Sequence, residues 1–143
     1  MNVKLAVLAD YATTTAEGKL VICGVFDTVF APSAPVVHHS MYLALRVDSH
    51  PGEPAKHRLV IRLVDPDGNL VIPELDAKFD LGPAADRSQS GGLQLVLALP
   101  NVEFKTMGRH AVDILIDDRF EESVILNVER LPEPPTKPSG NEE

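Results

Sequence analysis

Apolar and polar residues alternate along most of this chain. The clearest case lies near its end: Val112, Ile114 and Ile116, a turn at Asp117-Asp118-Arg119, then Val124, Leu126 and Val128. A period of two belongs to a strand with one buried face and one wet face. Two such runs about a short acidic turn predict a β-hairpin. The alternation recurs through Val3, Leu5 and Val7, through Met41, Leu43, Leu45 and Val47, through Leu59, Ile61 and Leu63, and through Leu93, Leu95, Leu97 and Leu99. No segment sustains a helical period, although Asp10–Gly18 has room for one short turn of helix.

Turn residues divide these runs. Ala12–Gly18 reads as a loop that delivers the chain into a strand at Lys19–Phe30. Gly24 interrupts that strand, and a glycine there marks a bulge or a close backbone approach. Ala31–Pro35 holds two prolines and breaks the sheet. Asp65-Pro66-Asp67-Gly68 predicts a type I turn: Pro66 presets φ, Asp65 bonds forward to the backbone, and Gly68 fills the fourth position. Leu70–Ile72 is the expected return strand, stopped by Pro73, and Leu75–Leu81 is a short edge strand. Gly82–Gly92 reads as a polar loop, Pro100 ends the strand before it, and Phe104 and Met107 cap the core.

Four prolines fall within Glu129–Glu143. Such a segment has too little apolar area to offset its ordering entropy. The expected organisation is a β-sandwich domain at 1–130 and a disordered Pro-rich acidic tail at 131–143. About eight short strands separated by turn signals predict an all-β, single-domain antiparallel β-sandwich, immunoglobulin-like or jelly-roll-like. A closed barrel shows the same alternation and stays open as an alternative.

A length of 143 residues suits one domain with a real core. Lys and Arg number 13 against 21 Asp and Glu, a formal net charge of −8. That balance argues against nucleic acid and against anionic membrane surfaces, both of which are held by clustered Lys and Arg. Cys23 is the single cysteine, so no intrachain disulfide is available, and its apolar run predicts a small buried hydrophobe. Met1–Asp10 does not read as a signal peptide and no run reaches membrane-spanning length, so a cytoplasmic protein is expected.

Candidate chemistry is thin. His38, His39, His50 and His57 fall close together and His110 lies far downstream, but adjacent strand residues point to opposite faces, so His38 and His39 do not share an ion. No metal, cofactor or catalytic set is expected from them, and they read as solvated histidines. Asp65 and Asp67 in one turn, with Asp117 and Asp118 in another, are the calcium candidates, because oxygen-rich loops at one end of a sandwich suit that ion. Asp also favours tight turns for backbone reasons alone. Arg119 beside the second pair offsets its repulsion. Cys23 and the serines form no nucleophile arrangement, and Ser90-Gly91-Gly92 lacks the context of a phosphate loop.

One N-terminal pattern stands apart: Ala9-Asp10, Gly18-Lys19-Leu20 and Gly24-Val25-Phe26-Asp27, followed by a Pro-rich crossing and Leu43-Ala44-Leu45-Arg46-Val47. It resembles a family of small uncharacterised bacterial proteins over most of the chain up to the tail. The resemblance implies a bacterial cytosolic protein and brings no activity. Asp10 and Asp27 read either as wet-face or turn residues, paired with Lys19 or Arg46, or as part of a docking surface. The expected function is a non-enzymatic interaction or structural module with a protein partner, including a second copy of itself. A small-ligand or calcium-binding module and a metal-dependent jelly-roll enzyme are the alternatives.

Overall fold

The computed structural model describes residues 1–82 and 92–132. The predicted loop at Gly82–Gly92 and the tail therefore lie almost wholly outside the described residues. Among the described residues there are nine strands and no helix: β1 (Asn2–Thr14), β2 (Leu20–Phe26), β3 (Thr28–Ala31), β4 (Val36–Asp48), β5 (Lys56–Val64), β6 (Leu75–Asp80), β7 (Gly92–Phe104), β8 (Gly108–Ile116) and β9 (Arg119–Arg130). They form a four-stranded sheet, β2-β1-β4-β7, and a five-stranded sheet, β3-β9-β8-β5-β6. No described helix is long and apolar enough to cross a membrane.

The alternation translates into one shared core, except in β1, where a register shift between Val3 and Leu5 leaves Leu5 exposed and turns Ala6 and Leu8 inward. The four-stranded sheet contributes Leu8, Met41, Leu43, Leu45, Val47, Leu99, Val102 and Phe104, and the five-stranded sheet contributes Val29, Leu59, Ile61, Leu63, Val112, Ile114, Ile116, Leu126 and Val128. The final hairpin forms as expected. Its two-residue turn places Asp117 and Asp118 at φ 51° and 65°, and two successive positive φ values match the twist of the strands they join. The Asp65–Gly68 turn also forms: the Gly68 N–H donates to the Asp65 carbonyl at 3.0 Å, and the Asp65 carboxylate accepts from Asp67 N–H at 2.9 Å and Asn69 N–H at 2.8 Å.

Several expectations change. Lys19–Phe30 is two strands, because the chain leaves one sheet at Asp27 and enters the other. β3 then runs parallel to β9, pairing Thr28 with Asn127 through Ala31 with Arg130, so the protein is not purely antiparallel. Leu70–Ile72 makes only an isolated bridge, Val64 to Leu70, and β6 supplies the returning edge strand instead. β9 continues to Arg130, the last residue before the expected tail at 131–143.

Pro100 does not end its strand. β7 passes through it to Phe104, and that residue is core, not cap, with no exposure. The inward row is Leu93, Leu95, Leu97 and Leu99, then Val102 and Phe104, so the phase slips by one residue at Pro100-Asn101. β4 slips at the facing rungs: His38 and Met41 are successive inward positions, around His39-Ser40. Asn101 absorbs the slip at φ 50°, a value its short polar side chain tolerates. A Phe104→Ala substitution is expected to cost about 3–5 kcal/mol, as for other buried aromatic truncations. Urea denaturation would check it as a fall in midpoint at unchanged slope.

Candidate functional site

The most constrained polar cluster lies where β5 meets the β8–β9 turn. The alternation of β5 turns His57 inward at the start of the strand, where it is 6% exposed. The Leu59–Ile116 rung brings Asp117 alongside it. His57 Nδ1 lies 2.6 Å from Asp117 Oδ2, and Nε2 lies 2.8 Å from the Pro54 carbonyl. Both partners are oxygen atoms, so the ring is held in place at both of its nitrogens. The Arg58 N–H donates to the other Asp117 oxygen at 3.0 Å. Phe79, directly opposite on β6, stacks on the imidazole with centroids 5.4 Å apart.

Burial works to raise the Asp117 carboxyl, but the His57 bond, the Arg58 N–H and nearby Arg119 outweigh it and hold the group below the ordinary carboxylate range. Outside this pair, the Arg58 guanidinium donates to both Asp76 oxygens at 3.0 and 2.7 Å and to Asp118 at 2.8 Å. Those partners raise the Arg58 value and lower that of Asp76. All of these groups are on or near the surface, so the ion pairs fix geometry more than they add stability.

The four calcium candidates do not converge. Asp117 and Asp118 sit beside Arg58, at the start of β5, whereas Asp65 and Asp67 follow Val64, at its far end. Each pair has a local role: Asp65 organises its own turn, and Asp117 and Asp118 hold His57 and Arg58. Among the described residues no group of three or more His, Cys, Asp or Glu side chains is placed to hold a metal ion.

His50, exposed between β4 and β5, is a solvated loop residue as expected, but the other four histidines lie in strands. His57 and His110 are buried on inward rows, and His110 packs edge-on against Phe104 with centroids 5.2 Å apart while its Nδ1 donates to the Gly108 carbonyl at 3.0 Å. His38 and His39 do point to opposite faces. His38 lies near Phe26, and His39 meets Asn101 Oδ1 at 3.2 Å across the phase slip. Cys23 is exposed, contrary to expectation, because β2 is an edge strand and its Cys23 position faces outward opposite Tyr11.

The N-terminal constellation has a conformational role. Gly24 sits opposite Asp10, between the Ala9–Val25 and Tyr11–Cys23 rungs, at φ 73°. A Cβ there would lie 2.5 Å from Asp10 Oδ2. Asp27 accepts from the Thr28 hydroxyl at 2.8 Å, and its carbonyl takes the Asn127 N–H at 2.8 Å as the chain changes sheets. Neither acid pairs as expected: Lys19 pairs with Glu17 and Arg46 with Asp48. Beyond Asp10 and Gly24 the β1–β2 hairpin leaves β4 and returns across the sheet. Its tip carbonyl, Gly18, lies 3.0 Å from the Gln94 amide nitrogen, and the Gln94 oxygen lies 2.6 Å from the Arg46 guanidinium, in the amide orientation that satisfies both. Ala9, Ala12 and Ala44, which lie outside the main core cluster, are buried.

The molecule is thus an all-β protein of two sheets and nine strands, with its polar clusters spent on turns, hinges and sheet crossings. The chain belongs to the family of unknown function DUF6941, whose model matches residues 4–129 and so takes in all nine strands but for their outermost ends. No curated protein matches it.

Two outcomes test these assignments. Because the Asp117 carboxyl is lowered in the folded state, its contribution is complete above the unfolded carboxylate value and is lost as the pH falls through the folded one. Asp117→Asn is expected to be less stable than the parent at pH 7, with the gap closing towards pH 2, as read from urea midpoints across that range. Gly24→Ala is expected to cost about 1–3 kcal/mol through strain at positive φ and the collision with Asp10. In an Asp10→Ala background the carboxylate collision is removed and only the tight 3.1 Å contact with the residue-10 Cβ remains, so a smaller loss in the double-mutant cycle separates the collision from the backbone strain.

Proposed function

We propose that this protein is a non-enzymatic interaction module of the bacterial cytoplasm, an immunoglobulin-like β-sandwich that docks by strand addition at the free edge of β7 and takes a second copy of itself as partner. The immunoglobulin-like reading rests on strand order. A B-C-C′-E-F-G path corresponds to β4 through β9, with β3 as the short strand that pairs parallel with the last one.

The observation that carries the docking proposal is the contrast among the four sheet edges. β3 is only four residues long. β6 carries Asp76, Lys78 and Asp80 at alternate positions. β2 carries Gly24 at positive φ in its middle and is joined to β3 by Asp27 alone, so the chain itself closes that flank. Short strands, charges and bulges are the ordinary protections against edge pairing. Gly92–Leu99 of β7 has none of them: no charge, no proline and an unbroken register against β4 from Asp48 to Ser40. Among the described residues no strand pairs with its far side.

A second copy suits this edge because the segment is uncharged. Two chains of net charge −8 repel in general, but a two-fold axis near Leu95-Val96 would bring only neutral residues together. The outer neighbours Val96 and Ala98 continue the apolar contact across the joined sheets. A strand pair of this length buries less than the ~800 Å² per partner of a standard interface, so micromolar self-association is expected. Sedimentation velocity from about 5 to 200 μM is expected to give a monomer–dimer equilibrium that Val96→Lys abolishes while circular dichroism stays unchanged. A parent chain that remains monomeric throughout that range would sink the proposal.

A further inference from the structure

Beside the His57–Asp117 pair lies a cavity of about 530 Å³, within the usual range for small-molecule sites. Lys56, His57, Arg58, Lys78, Phe79, Asp80 and Asp117 line it. Both inward and outward positions of β5 and β6 take part, so it opens at the margin of the strand pair and not over one face. We infer that this cavity binds a small organic anion with a flat apolar body, the body lying against Phe79 and the anionic group taken by Lys56 and Lys78.

The floor is preorganised. Phe79 and His57 are stacked with an interplanar angle of 24°, and the imidazole is held at both nitrogens. A fixed pair of planar rings offers a flat apolar wall without the entropy cost of ordering it on binding. The remaining charges then decide the ligand. Arg58 is spent on Asp76 and Asp118, and Asp117 is spent on His57 and the Arg58 N–H. Asp80, opposite Lys56, accepts the Gly82 N–H at 2.8 Å.

Among the described residues Lys56 and Lys78 form no ion pair within 4 Å, although Lys78 helps to lower the Asp76 carboxyl through space. Lys56 faces Asp80 and Arg58 faces Lys78, so the two lysines are diagonal neighbours on one face of the pair. Diagonal positions lie about 7–8 Å apart at the backbone, within reach of one anion for two long side chains. In a chain of net charge −8, these two ammonium groups beside a stacked aromatic wall favour an anionic guest over a cationic one.

The test uses two fluorescent probes with closely related bodies. 8-Anilinonaphthalene-1-sulfonate carries the anionic group, and N-phenyl-1-naphthylamine lacks it. With the full chain, the sulfonate is expected to bind saturably at one site, at least ten-fold more tightly than the neutral probe. Lys56→Gln/Lys78→Gln is expected to weaken it at least five-fold without changing the melting temperature, and to leave the neutral probe unaffected. Phe79→Leu, which keeps an apolar side chain at the position, is expected to weaken both probes. The edge variant Val96→Lys is expected to bind the sulfonate like the parent, which separates this site from β7. Equal binding of the two probes, or sulfonate binding indifferent to loss of both lysines, would overturn the inference.

Discussion

A strand has two faces and no third, so an inward row must stay in phase with the rows beside it. This constraint governs the structure more than any single contact. Where β7 slips phase at Pro100-Asn101, β4 slips at the facing His39-Ser40, and the register between them does not change. If only one strand slipped, either Val102 and Phe104 or Val36 and His38 would turn to solvent. The shared slip keeps both rows in the core and bends the sheet. Asn101 takes up the strain because a β-branched residue there would pay for positive φ with a steric clash.

The same logic explains why acidic residues that look like ligands act as connectors. A two-residue hairpin at the end of β8 needs positive φ twice, and Asp tolerates that conformation. Once there, Asp117 lies beside the first rungs of β5. Its two oxygens take the His57 ring and the Arg58 N–H, which ties the turn to the neighbouring strand. Asp118 adds the Arg58 side chain. Residues chosen for backbone reasons thereby fix the position of the cavity wall formed by His57 and Phe79.

Much of the scaffold was legible in the sequence, because period-two alternation reports burial and burial is what the sheets share. The hairpin at Asp117-Asp118, the turn at Asp65, the close approach at Gly24 and the edge strand after Leu75 all follow from local chemistry. What was not legible depends on other strands. The change of sheet at Asp27 is invisible in a continuous apolar run, since β2 and β3 are each strand-like. Pro100 reads as a terminator because proline lacks a ladder donor, yet an edge strand tolerates that loss. Cys23 reads as core because apolar runs usually are, but its edge position exposes it. The His57–Asp117 pair spans sixty residues of chain, and only the β5–β8 register joins them.

The two flanks of the molecule differ for a topological reason. β2 and β3 are the outer strands on one flank, separated by Asp27 alone, and the Asn127 N–H bonds the Asp27 carbonyl there. The chain itself closes that flank. On the other flank the outer strands are β7 and β6, which belong to different sheets and have no such one-residue link. Their edges answer solvent differently. β6 is charged and carries the cavity at its margin, whereas Gly92–Leu99 of β7 is uncharged and regular. A closed flank needs no protection beyond its own backbone bonds, so the positive φ at Gly24 serves the close approach of β2 to Asp10. Among the described residues the open flank has no internal partner for its edge strands, and it is there that the proposed second copy and the proposed anion would meet backbone and side chains already held in place.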